Sequence, residues 1–151
     1  MREIANLAEL KSLLGQEVAV SDWVEITQER IDRFADATGD HQWIHVDVAR
    51  CKCESPFGST IAHGFLTLSL LSNMMENALH MVDVEMGVNY GLDQVRFPAP
   101  VPVGSRLRAR ITLVTVEHIA GGAQLGWSAL VEREGSEKPV CVARFIVRRY
   151  P

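Results

Sequence analysis

The stretch HGFLTLSLLSNMMENALHM, residues 63–81, decides the fold of this chain. Its apolar residues are spread almost completely around a helical axis, a distribution that is typical of a helix buried on nearly every side. The pattern therefore predicts one long central helix, which begins at His63 and Gly64 and is enclosed by the rest of the chain.

The second half of the sequence alternates between strand-like segments and turns. Strand-like patterning occurs in segments 84–97, 105–117, 124–132 and 139–150. The connections between them are short and rich in proline or glycine, which favours antiparallel pairing of consecutive strands. Together with the buried helix, these segments predict a single α+β domain over residues 1–151, in which an antiparallel sheet wraps around a long central helix.

The region before the central helix is predicted in shorter pieces. Residues 17–26 are expected to form a strand and residues 28–38 a helix, with Thr27 as its N-cap. Residues 39–46 are expected to be irregular. Asp47 is expected to cap a short helical turn that reaches about residue 51.

Composition excludes several classes of protein. The chain has 151 residues and a formal net charge of −4, and its basic residues are scattered, which argues against a nucleic-acid partner. Residues 1–10 lack the pattern of a secretory signal, and the apolar segment 61–75 is too short to span a bilayer. We expect a cytoplasmic protein without a membrane partner, whose three cysteines, Cys51, Cys53 and Cys141, are free thiols.

A carboxylate and an imidazole that both exchange protons near neutral pH stand five residues apart, at Asp40 and His45. On a continuous helix the two side chains would diverge by about 140°, and on a strand they would point to opposite faces. They can act on one substrate only if the chain bends between them, and Gly39 is a suitable helix end. This segment is the candidate active site.

Three blocks of the sequence, in this order, resemble one protein family. They are FADATGDHQWIH at 34–45, IAHGFLTLS at 61–69 and FPAPVPVG at 97–104. The chain is similar to the MaoC-like dehydratases, also called (R)-specific enoyl-CoA hydratases, which have the hot-dog fold, and among them to the nodulation protein N-like members. One departure lies in the first block, where the family's usual Asn-Pro is replaced by Gln42 and Trp43.

The resemblance implies reversible syn addition of water to a trans-2-enoyl thioester of CoA or acyl carrier protein, giving an (R)-3-hydroxyacyl thioester. Asp40, expected to be buried, would activate the water as a base, and His45 would hold the same water; the group that protonates C2 is left open. The backbone amide of Gly64, at the exposed start of the central helix, would donate to the thioester oxygen. Ser72 matches a family position that touches the catalytic water.

A second set of residues is expected to contact the substrate without reacting with it. These candidates are Gln42, His63, Asn89, Tyr90 and Gly91. For His63, the alternative is that its ring only packs at the start of the helix. For residues 89–91, which are candidates for lining the acyl tunnel, the alternative is ordinary packing in the sheet.

No cofactor and no metal are expected, because the family works without a metal and the potential ligands are irregularly spaced. Those potential ligands are Asp40, His41, His45 and Asp47.

Two other functions compete with the hydratase. A hot-dog acyl-CoA thioesterase usually has a carboxylate on or near the central helix, where this chain offers only Glu76. A non-catalytic acyl-thioester-binding subunit of a dehydratase complex would lack the acid–imidazole pair, which this chain retains. We also expect a homodimer, since a single small hot-dog domain leaves an edge strand exposed.

Overall fold

The computed structural model describes residues 1–151. The helices are α1 (Leu7–Ser12), α2 (Gln28–Thr38), α3 (Trp43–Val46), α4 (Val48–Glu54) and α5 (Gly64–Ala78). The strands are β1 (Arg2–Ile4), β2 (Glu17–Val20), β3 (Val24–Glu25), β4 (Leu79–Met81), β5 (Met86–Arg96), β6 (Arg106–Ile119), β7 (Gly122–Arg133) and β8 (Cys141–Tyr150).

One antiparallel sheet forms most of the fold. Its strands follow the order β2-β6-β7-β8-β5, and β3 also pairs with β6. The inward-facing residues of β6, β7 and β8 alternate with exposed ones and pack on α5, as half-buried strands require. The predicted architecture, a sheet wrapped around one long helix, is confirmed, and it is that of the hot-dog fold.

The central helix differs from its prediction in two ways. Its buried residues lie on one side, while Phe65, Ser69, Ser72 and Glu76 are exposed on the other. The prediction of burial on nearly every side was therefore wrong for the single chain, because that side of α5 lies along an open cleft. The helix also ends at Ala78, three residues early, since the following residues pair with β1 as β4.

The region before α5 is more regular than predicted. The helix α2 is confirmed: the Thr27 side chain accepts from the amide of Arg30, and Gly39 ends the helix with a φ of 78°. The expected strand 17–26 is divided into β2 and β3, which pair with β6 on either side of a break near Ser21.

Residues 39–46, expected to be irregular, contain the short helix α3, and α4 continues to Glu54 instead of ending near residue 51. The elements β1 and α1 were not predicted. None of the helices has the length and apolar character needed to span a bilayer. All three cysteines are free, as expected.

The sheet has two unequal edges. One consists of the short strands β2 and β3, which have four and two residues. The other is β5, an 11-residue strand that is exposed along almost its whole length. Its register against β8 shifts at Tyr90 and again at Asp93, so β5 has two bulges.

Candidate active site

The bend between α2 and α3 brings the acid and the imidazole together. Because Gly39 adopts a left-handed conformation and α3 begins only at Trp43, the chain reverses between Asp40 and His45. One carboxylate oxygen of Asp40 and one ring nitrogen each of His45 and His63 all lie within 4.8 Å of one another. A single water molecule can bridge two groups at that separation, given hydrogen bonds of about 2.8 Å.

His45 is held as a neutral acceptor. Its ring is buried, and Nδ1 lies 2.6 Å from the carbonyl oxygen of Ile61. A carbonyl can only accept, so Nδ1 carries the proton and Nε2 presents a lone pair. Burial lowers the pKa of His45, and the neighbouring His63 lowers it further, while the bond to Ile61 and the charge of Asp40 act in the opposite direction. The imidazole is therefore neutral at pH 7.

His63 contacts both Asp40 and His45. Its ring is only 3% exposed, and Nε2 donates to the backbone carbonyl of Asp40 over 2.9 Å. The ring stacks on His45, with centroids 3.8 Å apart, and contacts Phe34 on α2 at 4.9 Å. Thus His63 fixes the backbone of Asp40 and the ring plane of His45 at once.

The Asp40 carboxylate faces solvent. Its side chain is 52% exposed, so the expected burial was wrong. One oxygen accepts from the amide of Gln42 at 3.3 Å, and the other lies 4.0 Å from Nε2 of His63. The backbone of Asp40 is thus fixed while its carboxylate remains accessible to a ligand.

Gln42 and Trp43, which replace the family's Asn-Pro, lie at the start of α3. Trp43 occupies the first position of α3, where proline is tolerated because that amide has no partner within the helix. Its ring packs under the guanidinium of Arg50 at 4.1 Å. Gln42 is exposed beside Asp40, and its side chain does not cap α3.

The start of α5 provides free amides. His63 is the N-cap, but its side chain makes no capping hydrogen bond to α5, and the first helical bonds run from Leu66 and Thr67 to the His63 carbonyl. The amide of Gly64 precedes them and lies at the positive end of the helix dipole. A Cβ at Gly64 would lie 2.9 Å from the ring of Phe97, so only glycine fits without displacing that ring.

The remaining predicted residues lie elsewhere, in a cleft between the exposed side of α5 and strands β5 and β8. Its volume is about 530 Å³, and it is lined in part by Ser72, Asn89, Tyr90 and Gly91. The side-chain amide nitrogen of Asn89, Nδ2, donates to the hydroxyl of Ser72 over 3.2 Å. Ser72 is eight residues along α5 from Gly64, about 12 Å at 1.5 Å per residue.

Three residues that bear on the site were not predicted from the sequence. They are Phe34, which packs on His63; Phe97, which covers Gly64; and Arg149, which lines the cleft. Only Arg149 had a usable signal: it continues the inward alternation of Phe145 and Val147 on β8. The other two contacts depend on tertiary packing.

The residues that could together bind a cation differ from those considered in the sequence. They are Asp40, His45 and His63, whose side chains lie close together. In contrast, His41 is hydrogen-bonded to Asp36. Asp47 caps α4 through the amide of Arg50. Because His45 and His63 each already donate one ring N–H to a carbonyl, a cation would have to use their other nitrogens.

The chain resembles known proteins over almost its whole length. The family model described as "MaoC like domain" matches residues 9–125. The chain is 54% identical over 149 residues to 3-hydroxyacyl-thioester dehydratase Z of Mycobacterium tuberculosis, covering 98% of each protein. It is 47% identical over 144 residues to nodulation protein N of Rhizobium leguminosarum bv. viciae, covering 93% of this chain and 89% of that protein.

Solved structures show the same fold at low sequence identity. The (R)-hydratase from A. caviae involved in PHA biosynthesis superposes with a TM-score of 0.72 at 20% identity, covering 91% of this chain and 96% of that one. A monoamine oxidase regulatory protein from Archaeoglobus fulgius superposes with a TM-score of 0.79 at 22% identity, covering 99% of this chain and 97% of that one.

Fold and site together define a hot-dog protein with an acid–imidazole pair at the start of its central helix. The chain belongs to the MaoC-like dehydratase family.

Proposed function

We propose that this chain is a hydro-lyase that adds water reversibly, and on one face, to trans-2-enoyl thioesters, giving (R)-3-hydroxyacyl thioesters. The observation that carries the proposal is the convergence of Asp40 and His45 within 4.8 Å beside the free amide of Gly64. High identity to a 3-hydroxyacyl-thioester dehydratase over 98% of both chains supports it.

The water would be oriented by two acceptors. It donates one hydrogen bond to the Asp40 carboxylate and the other to Nε2 of neutral His45, which leaves an oxygen lone pair directed at C3 of the substrate. Asp40 then accepts the proton as the O–C3 bond forms, and the π electrons move through C2 to the thioester oxygen. Finally, Asp40 returns a proton to C2 on the same face, which gives syn addition.

The charge that develops on the thioester oxygen needs a donor. The Gly64 amide is suited to this role because it lies at the helix start and has no acceptor of its own within α5. Glycine also allows the carbonyl to approach closely. The ring of Phe97 packs against Gly64 at this position.

The other predicted residues receive supporting roles. His63 acts by positioning Asp40 and His45, since its ring is buried and its Nε2 is already bonded. The acyl chain is proposed to follow α5 into the cleft, along Ser72, Asn89, Tyr90 and Gly91. In this arrangement Gln42 borders the Asp40 carboxylate, and the contact of Ser72 with the catalytic water stays a prediction.

We propose a homodimer joined through β5. This strand is long, exposed and at the edge of the sheet, so its unpaired backbone groups can pair with a second copy. Light scattering should give twice the chain mass of 16.8 kDa; a stable monomer would contradict this arrangement.

A cytoplasmic location is consistent with three free cysteines. No cofactor is required by the proposed chemistry.

The test of the proposed function is hydration of crotonyl-CoA, followed as loss of the absorbance of the conjugated enoyl thioester. Asp40→Asn and His45→Gln should each lower kcat by about 10²–10⁴ while circular dichroism stays unchanged. Near-wild-type rates in both variants would reject the assignment. Release of free thiol without hydration would indicate the rival thioesterase, and binding without turnover would indicate a non-catalytic subunit.

A further inference from the structure

An arginine on β8 points into the fold. Arg149 pairs with Gly87 on β5 and with Ala123 on β7, and it continues the inward series of Phe145 and Val147. Since side chains alternate along a strand, its guanidinium extends to the side of the sheet that faces α5. There it forms part of the wall of the cleft.

The guanidinium of Arg149 has no acceptor. Its Nε is buried without a hydrogen-bond partner, and no carboxylate oxygen lies within 4.0 Å. By contrast, Arg108 and Arg110 on β6 are both paired with Glu132. Burial lowers the pKa of Arg149 and Glu76 raises it, but a guanidinium remains charged at neutral pH. A partly buried charge without a partner is costly, so an acceptor from a ligand would be strongly favoured.

The neighbouring strand β5 has a glycine, Gly87, opposite Arg149. A Cβ at Gly87 would lie 2.7 Å from Nη1 and 3.1 Å from Cζ of Arg149. Glycine inside a strand weakens it and is typical of places where another group approaches closely. The absence of a side chain at Gly87 therefore leaves space for the guanidinium in the wall of the cleft.

Arg149 lies far from the reacting atoms. It shares the cleft wall with Glu76, which is twelve residues beyond Gly64 on α5, about 18 Å along the axis. An acyl chain whose thioester sits at Gly64 and which follows the helix would first pass apolar residues, including Leu68 and Met75. Its distal part would then reach Arg149.

We propose that Arg149 binds a carboxylate on the distal part of the acyl chain, so that the site selects ω-carboxyacyl thioesters over hydrocarbon chains of equal length. This inference rests on the proposed hydratase function and names its substrate class. The planar fork of a guanidinium matches a carboxylate through two parallel hydrogen bonds. A methyl-terminated chain leaves it without an acceptor.

The test compares pairs of trans-2-enoyl-CoA thioesters of equal length, ending in methyl or in carboxylate, over a series of lengths. At the matching length, wild-type kcat/KM should favour the carboxylate by at least tenfold. Arg149→Met should bring that ratio close to one, and Arg149→Lys, which retains the charge, should keep part of the preference. Arg144→Met is the matched control, because Arg144 lies on the same strand but is exposed.

Two results would overturn the inference: no preference for the carboxylate at any length in the wild type, or a preference that is unchanged in Arg149→Met. If Arg149→Met does not fold, the same comparison is made with Arg149→Lys, for which an undiminished preference contradicts the bidentate contact. Failure of the proposed function is distinguishable, since the wild type would then hydrate neither member of any pair, nor crotonyl-CoA.

Discussion

The start of α5 and its exposed side differ in how firmly the fold holds their polar side chains. At its start, His45 and His63 are buried, stacked on each other and bonded to backbone carbonyls. Along its exposed side, the cleft contains Arg149 with no acceptor and the exposed Ser72. The first region is preorganised by the fold, as transition-state stabilisation requires. The second offers donors and space, as recognition of a variable acyl group requires.

After the substitutions of Asp40 and His45, the largest expected effect tests the backbone amide of Gly64 at the start of α5. Gly64→Pro removes the N–H without breaking the helix, because the first helical amide has no partner within α5 and His63, with φ −59° and ψ 138°, has the conformation that precedes proline. Loss of one oxyanion donor should lower kcat for crotonyl-CoA by about 10²–10³.

The matched control for that variant is Gly64→Ala. It introduces the same Cβ against Phe97 but retains the N–H. When the two variants are measured in parallel, kcat of Gly64→Pro should therefore be lower than kcat of Gly64→Ala by this factor. Equal rates in the two would show that the amide of Gly64 does not stabilise the oxyanion.

A smaller effect is expected at His63. His63→Phe retains a ring for stacking on His45 but loses the donor to the Asp40 carbonyl. Because small displacements of a catalytic group reduce rate strongly, kcat should fall about tenfold to a hundredfold, with little change in KM. Steady-state kinetics measure both constants, and His118→Phe, at an exposed histidine on β6, is the control.

A double-mutant cycle separates positioning from a general structural role. If His63 acts through Asp40, His63→Phe should cause no further loss in the residual activity of Asp40→Asn. The same fold-loss in both backgrounds would contradict the positioning role, and so would wild-type kcat in the single variant.

The smallest effect concerns pH. Only neutral His45 can accept a hydrogen bond from water at Nε2, so protonation of His45 abolishes that contact. Burial lowers its pKa from the ordinary 6.5, in the presence of the neighbouring Asp40 and His63. The acid limb of kcat/KM should therefore be centred below pH 6.5. An acid limb centred above pH 6.5 would contradict the neutral tautomer.

Local patterns predicted much of the fold. The helix α2 follows from Thr27, the apolar spacing and Gly39, all of which act within a few residues of the chain. The strands of the sheet follow from alternation and from the turns between them. The elements that sequence did not predict depend on distant partners: β4 exists because it pairs with β1, and α5 ends early for the same reason.

The candidate site was predicted in part. The segment from Asp40 to His45 and the start of α5 could be singled out, because a bend between titratable groups and a glycine at a helix start have local signals. The one-sided exposure of α5 could not be predicted, because it depends on which strands cover the helix. The unpaired state of Arg149 likewise requires the positions of every carboxylate around it.

The most direct test of the central claim is the stereochemistry of hydration in D₂O. A single water held between Asp40 and His45, with Asp40 returning the proton, delivers oxygen and hydrogen to the same face of the double bond. Deuterium NMR of the product from crotonyl-CoA should therefore show one diastereomer, with the (R) configuration at C3 and deuterium on the same face as the hydroxyl group. Deuterium on the opposite face, or a mixture of the two diastereomers, would contradict this account.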